Sequence, residues 1–220
     1  TSTATESMSF IHTFCRLTAA LALGAGLAAP ASAATWRVQP GESIQAIIDR
    51  AAPGDVIEIE RARYLGHLMV DKPLTLRGIE RPTIDGELKE NTISVKAEDV
   101  TIEGLIVANS GGDTLYQHAG VYIYPGSHKA VVRNCDFSYT LFGLWIEKAN
   151  DVLIENNLIT GKRDCASPRR GNGIQLYNTQ RARIIGNNIS FVRDAIYVDV
   201  SHDAIFRGNK LHHSRYGTHY

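Results

Sequence analysis

Short apolar segments recur along most of the chain, separated by polar residues, glycine and asparagine. Five of these segments align without gaps, and their starts are 30, 22, 30 and 22 residues apart. A second set alternates with them, and the next first-set segment starts 12, 11, 11 and 11 residues later. The first set is IEGLIV at 102–107, VRNCDF at 132–137, IENNLI at 154–159, IIGNNI at 184–189 and FRGNKL at 206–211; the second set is GVYIY at 120–124, GLWIE at 143–147, GIQLY at 173–177, AIYVD at 195–199 and GTHY at 217–220.

This spacing predicts an all-β solenoid, a right-handed parallel β-helix whose coils of two or three strands stack about 4.8 Å apart. One coil cannot bury its inner face alone, so the stack supplies a continuous core. Asn157, Asn187 and Asn209 share one column, and we expect their amides to form an internal hydrogen-bonded ladder. Cys135 and Leu105 occupy that column in the two earlier coils. The leucine spacing of a leucine-rich repeat is absent, which disfavours that rival solenoid.

The segment SIQAIIDRA at 43–51 has the pattern of an amphipathic helix, because Ile44, Ile47, Ile48 and Ala51 fall on one face. Ser43 is the expected N-cap and the glycine at position 54 the expected stop. We expect this N-terminal helix to cap the first coil, which begins with VIEIE at 56–60 and LTLRG at 74–78. No such cap follows the last strand, so we expect the chain to be truncated at its C-terminus, with further coils missing.

Residues 8–33 have the pattern of a secretory signal peptide, an apolar run that ends in Ala31-Ser32-Ala33. Residues 1–7 precede Met8, the expected start, and residues 34–220 form the expected β-helix domain. The apolar run is too short to span a bilayer comfortably, so we expect an exported product that does not span the membrane after cleavage. The formal net charge is zero, with 23 basic and 23 acidic residues, and gives no argument for a nucleic-acid partner.

Alternation along the second-set strands separates inward from outward side chains. The outward residues are rich in aromatic rings and include carboxylates, which favours a partner-binding or ligand-binding face. The alternative is that aromatic residues simply suit β-strands. The residues of this predicted face are Tyr122, Trp145, Gln175, Tyr197 and His219 in one column and Tyr124, Glu147, Tyr177 and Asp199 in the next.

Two connections are much longer than the others, 108–119 and 160–172, and they leave the same corner in alternate coils. Long loops on a regular solenoid commonly carry its function. We expect them to form the walls of a shallow cleft whose floor is Leu141, Phe142 and Trp145. The second loop is basic and could meet an acidic partner surface; the alternative is a solvated loop. The predicted wall residues are His118, Lys162, Arg163, Arg169 and Arg170.

Candidate chemistry is sparse. His212, His213 and His219 cluster in sequence and are the candidate metal ligands. Glu147 and Asp199 share a column but lie two coils apart, about 10 Å, beyond the range of a retaining glycosidase. The sequence motifs of β-helix polysaccharide lyases, polygalacturonases and alginate epimerases are absent, so no catalytic residue is predicted, although missing coils could hold some.

Cys135 and Cys165 could pair in an oxidising compartment or stay as two separate thiols, because nothing fixes their distance.

Several segments resemble the NosD family of periplasmic proteins that support nitrous oxide reductase maturation. ESIQAIIDRAAPGDVIEIE and DKPLTLRGIERPTIDG resemble the first segment of that family, and RRGNGIQLYNT, RDAIYVDVSHDAIFRGN and SRYGTHY resemble its central coils. The likeness runs from Trp36 to Tyr220 and departs from the family at ERARY, 60–64, which replaces a Pro-Gly turn.

The resemblance implies a non-enzymatic, periplasmic accessory protein that acts as a binding scaffold. Its implied partners are the ATPase and membrane subunits of an ABC transporter, nitrous oxide reductase and a copper chaperone. Copper is implied only through the resemblance, because the sequence itself shows no cofactor and has few soft ligands. A polysaccharide lyase or hydrolase, or a carbohydrate-binding β-helix, is the alternative.

Overall fold

The computed structural model describes Thr1 and residues 33–220. The predicted signal peptide lies outside the described residues apart from Ala33, as do residues 2–7. Residues 33–220 form one compact unit built from 22 short strands and one α-helix. In chain order the elements are β1 (Thr35–Val38), α1 (Ile44–Arg50), β2 (Val56–Ile59), β3 (Arg63–Leu65), β4 (Leu68–Val70), β5 (Thr75–Gly78), β6 (Thr83–Asp85), β7 (Ile93–Val95), β8 (Thr101–Glu103), β9 (Ile106–Ala108), β10 (Ala119–Ile123), β11 (Val131–Arg133), β12 (Asp136–Ser138), β13 (Phe142–Glu147), β14 (Leu153–Glu155), β15 (Leu158–Thr160), β16 (Ile174–Tyr177), β17 (Arg183–Ile185), β18 (Asn188–Ser190), β19 (Asp194–Asp199), β20 (Ile205–Arg207), β21 (Lys210–His212) and β22 (Tyr216–His219), with a 3₁₀ turn at Ser167–Arg169.

The strands form three parallel sheets that run along the stack, which confirms the predicted β-helix. Sheet A has the order β1-β2-β5-β8-β11-β14-β17-β20. Sheet B is β3-β6-β9-β12-β15-β18-β21, and sheet C is β4-β7-β10-β13-β16-β19-β22. Each full coil therefore contributes one strand to each sheet, and neighbouring strands in a sheet come from successive coils.

Each first-set segment divides between sheets A and B at a sharp bend. Gly104, Asn134, Asn156, Gly186 and Gly208 occupy the bend in successive coils, and all have φ between 53° and 71°. Glycine and asparagine are the residues that adopt this left-handed conformation most readily. The recurring glycine or asparagine in the sequence pattern therefore marks the corner that turns the chain from one sheet into the next.

The core is a set of stacked aliphatic columns. In sheet A, the inward residues Ile57, Leu76, Ile102, Val132 and Ile154 lie in register and are fully buried. Burying one such side chain contributes about 1.5–3 kcal/mol relative to leaving it exposed. The repeated column supplies the hydrophobic stabilisation that a single coil lacks.

The predicted asparagine ladder is present. Asn157 Nδ2 donates to Asn187 Oδ1 at 2.9 Å, and Asn187 Nδ2 donates to Asn209 Oδ1 at 3.0 Å. The backbone N–H of Cys135 donates to Asn157 Oδ1 at 2.9 Å, so Cys135 continues the column. The ladder supplies side-chain hydrogen bonds to backbone groups at the bend that would otherwise be buried without partners.

The amphipathic helix is also confirmed, with slightly shorter bounds than predicted. Ser43 accepts a hydrogen bond from the Ala46 N–H at 3.2 Å, and Ile44 and Ile48 are buried. The helix ends at Arg50, with Ala51 as its C-cap, before the turn that contains Gly54. It contacts β1, β2 and β4, the first strands of sheets A and C.

Strand β1 was not predicted from the sequence. It pairs in parallel with β2, so sheet A begins one strand before the other two sheets. Its four residues precede the cap helix and do not share the 22-residue spacing. Sequence periodicity therefore gave no signal for it.

The outer face of sheet A carries charges of alternating sign in adjacent strands. Glu103 accepts from Arg77 Nε and from Arg133 Nε, at 2.6 and 2.7 Å. Glu58 lies 3.4 Å from Arg37 and 3.7 Å from Arg77. These ion pairs link five neighbouring strands of sheet A, β1, β2, β5, β8 and β11.

Candidate functional site

The outward residues of sheet C lie in the predicted register. Tyr122 is paired with Trp145, Trp145 with Gln175, Gln175 with Tyr197, and Tyr197 with His219. The alternate residues Val121, Leu144, Ile174 and Ile196 are fully buried inside the solenoid. The division into inward and outward side chains is therefore correct.

The second outward column is also in register. Glu147 is paired with Tyr177, and Tyr177 with Asp199. Tyr124 follows β10 in the strand position that aligns with Glu147, and its ring stacks on Tyr122 with centroids 4.2 Å apart. The two columns together form a band of aromatic and acidic side chains, which we call the sheet C face.

Part of the sheet C face is less exposed than expected. Tyr122 and Gln175 are each only 5% exposed, so the expectation of an exposed surface is wrong at these two positions. Tyr122 packs among Tyr124, Trp145 and neighbouring apolar residues. Gln175 accepts a hydrogen bond from Asn172 Nδ2 at 2.7 Å. Trp145 and Tyr197 remain partly accessible.

Tyr122 and Glu147 form a short, partly buried contact across adjacent coils. The Tyr122 hydroxyl donates to Glu147 Oε2 at 2.5 Å. Burial and the Glu147 carboxylate raise the pKa of Tyr122, so the phenol stays protonated. The nearby Trp145 indole N–H acts in the opposite direction and lowers the pKa of Tyr122. Its position relative to the Tyr122 hydroxyl does not meet the geometry of a hydrogen bond. Within residues 33–220 this buried N–H has no hydrogen-bond partner.

The loop 108–119 borders the sheet C face on one side. Asp113 Oδ1 accepts from the Leu115 N–H at 2.7 Å, and the ring of Tyr116 stacks on His118 at 6.1 Å. A groove of about 470 Å³ lies at its base, and Tyr124 forms part of its wall. The other residues lining the groove are Lys89, Glu90, Asn91, Asp113, Tyr116 and His118.

The loop 160–172 borders the other side. The Tyr139 hydroxyl donates to Asp164 at 2.8 Å, and Lys162 Nζ lies 5.0 Å from the centre of the Tyr139 ring. Between the loops, Leu141 and Phe142 are only 3% and 8% exposed. The expected open floor is therefore wrong for these two residues, because they fill the space between the loops and leave Trp145 as the accessible part.

An ion-pair cluster around buried Asp194, at the edge of the sheet C face, was missed by sequence reasoning. Arg215 donates to both oxygens of Asp194, at 2.9 and 2.6 Å, and His219 Nδ1 lies 3.0 Å from Asp194 Oδ2. A carboxylate only accepts hydrogen bonds, so His219 Nδ1 carries the proton in this contact. Burial alone would raise the pKa of Asp194, but the hydrogen bonds and charges of Arg215 and His219 outweigh it and lower that pKa.

The three candidate metal-ligating histidines do not come together as one group. His212 Nδ1 lies 2.7 Å from His213 Nδ1, whereas His219 is on a different sheet and contacts Asp194. Across residues 33–220, no group of three or more His, Cys, Asp or Glu side chains is placed to hold a metal ion.

Cys135 and Cys165, the two cysteines within residues 33–220, are free thiols. Cys135 is fully buried, and this burial raises the pKa of its thiol to about 12. A thiol in that state is a poor metal ligand, because metals bind the thiolate.

The part of the chain that the structure describes contains no helix long and apolar enough to cross a bilayer.

Comparison with known proteins agrees with the observed architecture. Residues 91–220 match the family described as right handed beta helix region. The family 28 exopolygalacturonase of Yersinia enterocolitica has a similar fold, with a TM-score of 0.53, 13% identity and coverage of 74% of this chain and 45% of that one. At this identity the likeness concerns the fold alone.

Two curated relatives share more of the sequence. Both are named probable ABC transporter binding protein NosD. The one from Pseudomonas aeruginosa is 30% identical over 161 residues, covering 73% of this chain and 37% of the relative. The one from Stutzerimonas stutzeri is 30% identical over 188 residues, covering 83% and 40%.

The chain spans less than half the length of the curated relatives it matches. The family match nevertheless covers more than half of the chain and the coils that carry the sheet C face. The chain belongs to the right-handed β-helix family and is a NosD-like member of it.

Proposed function

We propose that this chain is the scaffold part of an exported, periplasmic accessory protein that works with an ABC transporter to assemble the copper centre of nitrous oxide reductase. The observation that carries the proposal is the similarity to two proteins named as ABC transporter binding proteins, over 73% and 83% of the chain. Nitrous oxide reductase and a copper chaperone are the partners that the NosD resemblance implies.

The geometry supports a scaffold that holds a protein partner. The centre of the sheet C face is a rigid surface because Trp145, Gln175 and Tyr197 are fixed by parallel strand pairing on both sides. Partly accessible Trp145, Tyr177 and Tyr197 supply aromatic contact area, and aromatic residues are enriched at protein interfaces. The two loops rise beside this face and supply polar contacts at its edge.

The donor atoms favour a protein-binding role over stable copper binding by this segment. The soft ligands are on different parts of the coil: Met69 is on sheet C, Cys135 is at the bend between sheets A and B, and Cys165 is in the loop 160–172. Cys135 is also buried, with a raised pKa. In this proposal copper is cargo of the assembly process and not an ion held by this segment.

The proposal is tested by measuring binding of the purified protein to nitrous oxide reductase that lacks its catalytic copper centre. We expect the double variant Tyr177→Ser and Tyr197→Ser to weaken this binding at least about tenfold, because interface aromatic residues carry much of the affinity. Ile205→Ser is the matched control, since Ile205 is an exposed apolar residue on sheet A. Equal affinities for the wild type and the double variant would contradict a role for the sheet C face.

A carbohydrate-binding role is the second candidate, because the same partly accessible aromatic rings could stack on sugars. Hydrolysis is less well supported. Glu147 and Asp199 lie two coils apart, about 10 Å, and Glu147 is engaged by Tyr122. Titration of polygalacturonate, followed by tryptophan fluorescence and by viscosity, distinguishes binding from depolymerisation. Saturable quenching without loss of viscosity would support the carbohydrate-binding candidate over the scaffold.

A further inference from the structure

Five basic residues cluster at the corner between sheets B and C. They are Lys162, Arg163, Arg169 and Arg170 of the loop 160–172, together with Arg193 at the adjacent corner. We propose that this basic corner docks an acidic segment of a partner protein. The inference deepens the proposed function, on which it rests for the assumption that the partner is a protein.

The charges of the basic corner are not neutralised by their neighbours. Within residues 33–220, none of the five side chains forms an ion pair. On sheet A, by contrast, Arg77 and Arg133 both form ion pairs with Glu103. The one acidic residue of the loop, Asp164, accepts a hydrogen bond from Tyr139. Like charges gathered without counter-charges repel one another, and an external anionic partner relieves this repulsion.

The loop holds Arg163 and Arg170 in place before any partner binds. The Arg163 guanidinium lies 4.4 Å from the centre of the Phe191 ring, and Phe191 stacks on His213 at 4.7 Å. Arg170 Nε donates to the Cys165 carbonyl at 2.9 Å, which ties the loop back on itself. A guanidinium stacked on a ring keeps the N–H groups at its edge free for a carboxylate. The entropy lost on binding is reduced accordingly.

Arg193 is placed beside the loop by the solenoid itself. Its N–H donates to the Gly171 carbonyl at 2.8 Å, so it lies directly next to the root of the loop. In the next coil the N–H of Arg215 donates to the Arg193 carbonyl at 2.7 Å. Arg215 is neutralised by buried Asp194, whereas Arg193 is exposed and unpaired within the described coils. Arg193 therefore adds a fifth positive charge to the corner formed by the loop 160–172.

The composition of the patch favours carboxylates on a polypeptide. Four of its five residues are arginine, whose planar fork matches a carboxylate with two parallel hydrogen bonds. The patch adjoins the sheet C face, which offers the aromatic side chains typical of protein interfaces. An acidic segment of a protein could contact both surfaces at once.

The test uses the purified protein and a fluorescein-labelled oligoglutamate peptide, with binding followed by fluorescence anisotropy at low and moderate salt. We expect the double variant Arg169→Glu and Arg193→Glu to weaken binding at least about tenfold, and salt to weaken wild-type binding. These two side chains make no side-chain hydrogen bond or ion pair within residues 33–220, so the variant is expected to fold.

The matched control is Arg61→Glu with Arg207→Glu, which changes the net charge equally at exposed positions away from the basic corner. An equal loss in both double variants would show a net-charge effect and overturn the inference. Patch-dependent binding to phosphatidylglycerol vesicles or to polygalacturonate, without binding to the peptide, would also overturn it. The measurement does not involve nitrous oxide reductase, so its failure is distinguishable from failure of the proposed function.

Discussion

At the scale of single residues, Asn187 forms hydrogen bonds to neighbouring coils that an apolar side chain in the same column could not form. Its Oδ1 accepts from the backbone and side chain of Asn157, and its Nδ2 donates to the Ile154 carbonyl and to Asn209. The side chain is fully buried, so water cannot replace these bonds. The column was predictable because 22-residue and 30-residue steps both return to it.

Replacing Asn187 by alanine should therefore be costly. Asn187→Ala leaves the buried Asn157 N–H without its acceptor, and we expect a loss of about 2–4 kcal/mol in the free energy of unfolding. The measurement is urea denaturation followed by tryptophan fluorescence. Asn209→Ala is the control, since Asn209 is only partly buried and should cost less. Equal losses in the two variants would contradict the role of burial.

Asp194 gives a prediction for the dependence of stability on pH. The pKa of Asp194 in the folded protein lies below that of a free aspartate. Asp194 therefore contributes stability above the unfolded-state pKa and loses it as the pH falls through the folded-state pKa. We expect Asp194→Asn to be less stable than the wild type at pH 7. The difference should shrink as the pH falls below about 4. A difference in unfolding free energy that stays constant over this range would exclude the ion-pair cluster as its cause.

Neither the Asp194 cluster nor the burial of Tyr122 could be predicted from the sequence. Asp194, Arg215 and His219 come from two coils and meet only because the corner turns their side chains toward one another. Tyr122 points outward as alternation predicts, but its exposure depends on how neighbouring side chains pack over it. Periodicity fixes the direction of a side chain, whereas packing over an irregular corner decides its contacts.

At the scale of elements, the bends and strands were largely predictable and the loops were not. The first-set segments were recognised as units, and the glycine or asparagine at each bend was visible in the pattern. The loop 160–172 has no period, and its conformation is set by contacts such as those of Phe191 with Arg163 and His213. Such contacts join residues far apart in sequence and leave no regular pattern.

The ion-pair ladder of sheet A should contribute to stability through Glu103. The pKa of Glu103 would be raised by burial, but it is lowered overall by hydrogen bonds from Arg77 and Arg133. We expect Glu103→Gln to lower the free energy of unfolding by about 1 kcal/mol, and by less at high salt. Glu155→Gln is the control, since Glu155 lies next to Arg133 in register without an ion pair in the described coils. A larger loss of unfolding free energy in Glu155→Gln than in Glu103→Gln would contradict a stabilising role for the sheet A ion pairs.

The close approach of coils in sheet C explains a glycine that cannot be enlarged. A Cβ at Gly143 would lie 2.5 Å from the Gly173 carbonyl oxygen and 2.7 Å from Ile159 Cγ2. We expect Gly143→Ala to destabilise the protein by about 1–3 kcal/mol through overpacking, measured as a lower midpoint of thermal unfolding. Gly112→Ala, where the nearest atom is the end of the Lys162 side chain at 3.7 Å, is the control and should change the midpoint little.

At the scale of the whole molecule, charge is distributed unevenly although the net charge is zero. In sheet A the charges of five residues are paired with one another, Arg37, Glu58, Arg77, Glu103 and Arg133. The five side chains of the basic corner, by contrast, form no ion pair within residues 33–220. The repeat makes the scaffold rigid, and the two loops give one side a surface that the other sides lack. This asymmetry agrees with a protein that holds a partner on one side of a stack of coils.

Under the proposed function, a cell without this protein makes nitrous oxide reductase that lacks its catalytic copper centre. The copper content of the reductase is measured in enzyme isolated from a strain that lacks this protein and from the same strain complemented by the wild-type gene. We expect reductase that lacks its catalytic copper centre in the deletion strain and regains it on complementation. Fully copper-loaded reductase in the deletion strain would show that the proposed function is wrong.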